Sequence, residues 1–383
     1  MKKHILGVFT VLAVLFVMGV PAGQAPGSSP PLGLPPVPVP ENNPQTPEKV
    51  ALGDKLFHDM RFSSTGEVSC ATCHAAEKAF TDSPLRTSEG IDKLTGTRNA
   101  PTVLNSAYMT TMFWDGRSPD LEDQSQHPFV NPVEMGLEDH QPILDIVRSD
   151  AEYAEAFRDI FGKTGEKITM TEVMMAIAAF ERTLIAGDSR FDRYNFAGEE
   201  DALTAQEKRG FDLFVNRGRC VSCHLIEETQ AVFTDNRFHN IGIGINSIQE
   251  EVPAIAGEFL RADATLAEVD VKVLTNPKTS ELGRFVVTRD FDGIGSFKTP
   301  TLRNIALTGP YMHDGSLATL REVVIHYNNG GVTEKGDPVN DFLSSGIRPL
   351  NLDDEEIDDL VAYLESLTSP EFAHLAEDAG SGN

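Results

Sequence analysis

Two helical domains of similar build, joined at an interface, are what this 383-residue sequence predicts. Three observations carry that expectation. One five-residue pattern occurs twice, as Cys70-Ala71-Thr72-Cys73-His74 and Cys220-Val221-Ser222-Cys223-His224, and it uses all four cysteines of the chain. The residues flanking each copy repeat as well. Apolar residues recur at helical spacing, with little strand alternation.

In chain order, Met1-Lys2-Lys3-His4 is a basic start, Ile5 to Val20 is apolar, and small residues follow at Ala22 and Ala25. Residues 1–25 read as a signal peptide rather than a membrane span, with an uncleaved anchor as the alternative. Residues 26–47 hold nine prolines and read as an extended lead-in, either linker or strap. The first domain is expected over 48–200 and the second over 201–370, with their junction at Asp201 to Glu207 and a flexible tail over 371–383.

Within these bounds three helices stand out. Thr169 to Ala186 repeats Val173, Ile177, Phe180 and Leu184 on one face, with Thr169 and Glu172 as a capping box. A second runs from Thr319, capped with Glu322, to the stop at Gly330-Gly331. Asp353 to about Leu367 buries Ile357, Leu360, Val361 and Leu364 behind an acidic first turn that suits the helix dipole.

The internal repeat extends beyond the cysteines. Gly53-x-x-Leu56-Phe57 precedes the first motif and Gly210-x-x-Leu213-Phe214 the second. Pro101-Thr102 and Pro300-Thr301 each stand 14 residues before an Asp-Gly pair, Asp115-Gly116 and Asp314-Gly315. The second half carries an insertion, because Cys220 to Pro300 is much longer than Cys70 to Pro101.

Cys-x-x-Cys-His is the attachment pattern of c-type haem: two thiols bond the porphyrin and the histidine ligates iron. Two copies with no cysteine left over favour two covalent haems over a zinc site, which seldom places a ligand directly after its second cysteine. The fold class is therefore mainly α, with two cytochrome c-like domains, each holding one covalent haem. Covalent haem attachment takes place outside the bacterial inner membrane, so the periplasm is the expected location. Without the leader, 30 bases face 58 acids, a net charge of −28 (30 − 58). Such a surface repels nucleic acid and anionic lipid and favours a basic or neutral partner.

What faces each iron opposite His74 and His224 decides the chemistry, since an open iron binds peroxide and a doubly ligated one carries electrons. No histidine or methionine lies between His74 and Arg98. The first iron is thus expected to be open, with His127 and Met135 as candidate ligands further on. Superposing the halves on Asp115 and Asp314 sets Trp114 against His313 and Pro128 against Tyr327. Tyr327 shares an inward face with Leu320, Val323 and Val324, and reads either as a core residue or as an iron ligand. His326 falls off that face and reads as a surface or supporting residue. Met312, in a turn, is a further candidate.

The chain resembles the bacterial di-haem cytochrome c peroxidase superfamily, and within it the MauG type, from about Pro35 to Leu367. The resemblance rests on Leu52-Gly53-Asp54-Lys55-Leu56-Phe57, Arg98-Asn99-Ala100-Pro101-Thr102-Val103-Leu104-Asn105, Phe113-Trp114-Asp115-Gly116-Arg117, Asn131-Pro132-Val133-Glu134-Met135-Gly136 and Phe297-Lys298-Thr299-Pro300-Thr301-Leu302-Arg303-Asn304, running on to Tyr311-Met312-His313-Asp314-Gly315. It implies that Glu134 is the acid/base at the peroxide-binding haem, Gln124 its hydrogen-bonding companion, and Pro128 a non-ligating occupant of the same pocket. It implies that Trp114, the single tryptophan, stands between the haems. Asn99, with the carbonyls of Thr308 and Pro310, matches a calcium site, an oxygen-only set suited to a hard cation. Two departures from ordinary peroxidases are MauG-like: a tyrosine, Tyr327, where those place a methionine ligand, and no histidine on the loop after the first motif. A phenolate ligand lowers the reduction potential.

The implied function is a periplasmic oxidoreductase that uses hydrogen peroxide to form a high-valent di-haem state and oxidises a partner protein, with tryptophan modification as the MauG-type outcome. The alternative is a cytochrome c peroxidase that reduces hydrogen peroxide with electrons from a small cytochrome c or copper protein. The acidic stretch Glu250 to Asp270, in the insertion, is a candidate for choosing the partner.

Overall fold

The computed structural model describes residues 29–380, so the expected signal peptide lies outside the described residues. Each unit is organised by one pair of crossing helices. In the first, Pro47–Phe57 packs on Met170–Glu181, and in the second, Ala205–Val215 packs on Asp354–Glu365. The repeated glycines explain the contact. A Cβ on Gly53 would lie 1.9 Å from the carbonyl oxygen of Ala176, and one on Gly210 would lie 1.9 Å from that of Asp359. Only a residue without a side chain lets the two backbones approach so closely.

The capping boxes at Thr169/Glu172, Thr319/Glu322 and Asp353/Glu356 all form. The helix expected to run to Ala186 stops at Glu181, and Asn105 takes over the released backbone: its N–H donates to the carbonyl of Leu184 (2.8 Å) and its side chain bonds both polar groups of Ala186. The second unit repeats the device, with Asn304 N–H donating to the Leu367 carbonyl (3.1 Å). Asn105 and Asn304 both hold a left-handed backbone, φ 63° and 59°, which asparagine tolerates better than most residues.

Three large apolar clusters and two small ones fill the described residues. One lies behind the first motif (Leu52, Phe57, Phe129, Val173, Ile177) and one behind the second (Phe191, Phe214, Phe233, Ile357, Tyr363). The third belongs to the insertion, where helices Val252–Ala262 and Leu266–Thr275 bury Phe259, Val269 and Val273 against Leu282 and Phe285. Strand pairing among the described residues is one short antiparallel ribbon, Phe238–Asn240 with Ser296–Lys298.

Two boundaries differ from the sequence reading. Helix Arg190–Ala197, assigned there to the first domain, packs Phe191 into the second cluster and pairs Asp192 with Arg303, so the chain crosses between units before residue 190. The expected flexible tail instead forms helix Ala373–Gly380, preceded by Phe372, which is buried in the first cluster. Amphipathic spacing there was too short to register as a pattern. The described part of the proline-rich lead-in is a strap across both units. The Gly33 carbonyl accepts from Ala231 N–H (2.8 Å) and Arg303 Nη2 (2.7 Å), and the Pro35 carbonyl accepts from the Tyr108 hydroxyl (2.9 Å). No helix among the described residues is long and apolar enough to cross a membrane.

Candidate active site

Both Cys-x-x-Cys-His motifs line one cavity of about 730 Å³ along the boundary between the units. Cys70–Cys73 form a single helical turn capped by Ser69, and His74 ends it. Cys220–Ser222 form the matching 3₁₀ turn. None of the four cysteines is paired in a disulfide. His74 Nδ1 donates to the Phe80 carbonyl (3.2 Å) and His224 Nδ1 to the Phe233 carbonyl (2.9 Å). A carbonyl only accepts, so the proton is fixed on Nδ1 and the Nε2 lone pair is left as a donor for a metal. Burial holds both imidazoles below their ordinary pKa and hence neutral. Paired thiols and such histidines, twice over on one cavity, fit two c-type haems.

The donor set also bears on zinc. Cys223, Asp235 and His239 bring ligand atoms within 4.8 Å of one another, the one such group among the described residues. Bonding of Cys223 to a porphyrin removes the thiol and leaves an ordinary His239–Asp235 pair (2.8 Å).

The groups facing the two motifs are unlike. From the first unit, Gln124 and Pro128 of helix Leu121–Val130 and Glu134 of the following turn line the cavity. Glu134 has no side-chain hydrogen bond among the described residues, and its charge acts on Cys73 and Cys70, which puts it within electrostatic reach of the first motif. Burial, then the nearby Asp270 carboxylate, push its pKa up to about 7, with Arg117 opposing. A carboxyl so placed exchanges its proton near neutrality. Pro128 presents no ligating atom.

Toward the second motif stands Tyr327, on helix Leu320–Asn328. Its hydroxyl also has no hydrogen-bond partner among the described residues. Burial raises its pKa, and the next contributions come from Cys220 and Cys223, which puts the phenol within electrostatic reach of this motif. The ring is half-buried and the hydroxyl opens on the cavity, where it can meet a group bound there.

Trp114 lies at the boundary and is held from both sides. Its Nε1–H donates to the Asn99 carbonyl (2.9 Å), and its own carbonyl accepts from Lys298 N–H (2.8 Å). Asn99, Thr308 and Pro310 line the same cavity. Asn99 spends Nδ2 on the Leu85 and Arg86 carbonyls (3.5 and 3.3 Å), leaving Oδ1 unused, and the Thr308 and Pro310 carbonyls accept no hydrogen bond among the described residues.

The other candidates separate cleanly. His127 is not in the cavity lining; its ring lies between Asp123 (3.3 Å) and Asp270 (3.9 Å). Met135 and Met312 do line it. His326 is 1% exposed rather than a surface residue, and its Nε2 meets the Ile241 carbonyl at 2.8 Å. Asp270 faces inward at 3% exposure, so the acidic stretch does not present it to a partner. Sequence reasoning missed Glu181, whose buried Oε2 has no hydrogen-bond partner. It lines the cavity beside Cys70, and burial lifts its pKa to about 8. The repeat could have flagged it: pairing Ala176 with Asp359 and Phe180 with Tyr363 sets Glu181 against Leu364.

Comparisons agree with this geometry. The family described as di-haem cytochrome c peroxidase matches residues 47–201. A cytochrome-c peroxidase of Denitromonas iodatirespirans is 36% identical over 376 residues, 96% of this chain and 94% of its own length. A methylamine utilization protein MauG of Methylorubrum extorquens is 36% identical over 331 residues, covering 86% and 81% of the two chains. Among solved structures, a MauG-like protein associated with microbial copper homeostasis superposes with a TM-score of 0.70 at 34% identity, covering 89% of this chain and 97% of its own.

Proposed function

The chain belongs to the di-haem cytochrome c peroxidase family and is a di-haem oxidoreductase, and within that family we infer that it is a MauG-type enzyme, using hydrogen peroxide to oxidise a partner protein. The observation that carries this reading is the inequality of the groups near the two motifs: the Glu134 carboxyl stands near the first and the Tyr327 phenol near the second.

His74 and His224 would hold the irons through Nε2, with thioether bonds to Cys70, Cys73, Cys220 and Cys223, and Tyr327 would be the second protein ligand at the second iron. Bound haem supplies the redox-active metal that takes up peroxide and its two oxidising equivalents. Glu134 takes the proton from the near oxygen of peroxide and returns it to the far oxygen, so that water leaves. Gln124 orients the peroxide by hydrogen bonding, and Pro128 keeps that side free of a ligating side chain. Trp114, fixed from both units, lies on the path between the sites. A calcium ion on Asn99 Oδ1 and the Thr308 and Pro310 carbonyls would tie the units at the same boundary. Export to the periplasm follows from the leader and the haem type, and the strongly acidic surface suits a basic or neutral protein partner.

The 36% identity to a cytochrome-c peroxidase favours a second reading, in which a small redox protein supplies the electrons and water is the only product. Mixing the ferric protein as isolated with hydrogen peroxide separates the two. Direct reaction without prior reduction supports the MauG type, and an absolute need for a one-electron reduction first supports the peroxidase.

A further inference from the structure

The insertion of the second unit closes on the first unit's pocket. On one edge, the Thr97 hydroxyl donates to the Val273 carbonyl (2.5 Å) and Arg98 Nη2 to the Ser280 carbonyl (2.6 Å). On the other, Val133 packs into the insertion's own core. Between them Asp270, from helix Leu266–Thr275, reaches into the polar wall of the pocket. Its Oδ1 accepts from Arg117 Nε (2.7 Å) and its Oδ2 from Asn131 Nδ2 (3.2 Å).

Both partners are structural pivots. Asn131 is fully buried and ties the turn that carries Glu134: its carbonyl accepts from Glu134 N–H (3.2 Å) and Gly136 N–H (2.9 Å), and its Oδ1 from Val133 N–H (3.2 Å). Arg117 is shared with Asp115, which accepts from Nη1 at 3.0 Å. The His127 ring also lies 3.9 Å from Asp270, and its other nitrogen faces Asp123. A carboxylate whose lone pairs are used by a guanidinium and an amide is locked in place.

We propose that Asp270 is a positioning residue of the peroxide site: through Asn131 and Arg117 the insertion fixes the turn carrying Glu134 and sets a negative charge beside its carboxyl. The insertion thus completes the first haem's pocket from the second unit. Loss of the Asp270 charge leaves Arg117 less neutralised, and both changes favour the ionised form of Glu134.

This inference rests on the acid/base reading of Glu134 but is tested without turnover. In the full-length haem-loaded protein, the infrared carboxyl band that disappears in Glu134→Gln is titrated against pH. Asp270→Asn is expected to lower its midpoint by about one pH unit. Asp270→Glu is expected to restore it, and Glu268→Gln, on the exposed side of the same helix, to leave it unchanged. If the asparagine variant does not fold, the smaller Asp270→Ser must give the same displacement. A midpoint that ignores the neutral substitutions, or a Glu134 band that does not titrate, overturns the proposal. Because no peroxide is added, an enzyme that proves unreactive toward peroxide leaves this result standing.

Discussion

The two halves share a frame and differ in what the frame carries. Gly53 and Gly210 make the same helix crossing, Asn105 and Asn304 make the same backbone tie, and His74 and His224 make the same Nδ1 contact with a carbonyl. The differences fall on positions that reach the cavity or the core beside it. Pro128 stands against Tyr327, Trp114 against His313, Glu181 against Leu364, and Leu104 against Arg303. The repeat places two like motifs on one cavity, and a few side chains set a carboxyl near one and a phenol near the other. Function therefore resides in the departures from the repeat.

Replacing Glu134 attacks that difference most directly. Glu134→Gln keeps the size and removes the proton exchange, and the peroxide reaction should slow by roughly 10²–10⁴-fold. Stopped-flow mixing of ferric protein with peroxide checks this. In the unaltered protein the same rate should rise with pH through a midpoint near 7, where burial and Asp270 place the Glu134 carboxyl, because the ionised form accepts the proton.

Next in size is the charge pair that only the second unit carries. Arg303 and Asp192 are both fully buried, joined at 2.8 Å, with Arg303 also bonded to Ala231 and Gly33. Asp192→Asn should cost about 3 kcal/mol, because it leaves a buried guanidinium uncompensated. Denaturant unfolding measures the loss.

A smaller effect of opposite sign is expected at Glu181. Its folded pKa, lifted to about 8, exceeds the ordinary carboxyl value of 4.5, so the folded protein binds the proton more tightly than the unfolded chain does. Stability contributed by the neutral form is fully present below pH 4.5 and is lost as pH rises toward about 8. Glu181→Leu, the residue of the second unit, should remove that loss and stabilise the protein by about 1–3 kcal/mol at pH 8. Thermal unfolding across pH tests it, and a variant whose stability falls with pH as steeply as before would contradict it.

What the sequence made legible was local or repeated. The two Cys-x-x-Cys-His motifs, the capping boxes and the paired glycines each fit within a few residues, and most of them occur twice. Glu134, Gln124 and Tyr327 were reached through family resemblance and register, and the structure brings them to the cavity wall. Asp270 and Glu181 were illegible for physical reasons. Asp270 meets Arg117 across 153 residues of chain, inside a stretch whose acidity resembles an ordinary solvated face. Glu181 ends a helix as any exposed glutamate would, and only packing shows its oxygen buried. The reach of the insertion into the first pocket likewise depends on tertiary docking that no periodicity encodes.

The inequality of the two haem sites is tested most directly by electron paramagnetic resonance of the ferric protein as isolated, alone and with Tyr327→Phe. One high-spin and one low-spin signal are expected, with the substitution altering the low-spin signal and sparing the high-spin one. Two low-spin haems in the unaltered protein, or a low-spin signal untouched by the substitution, would contradict it.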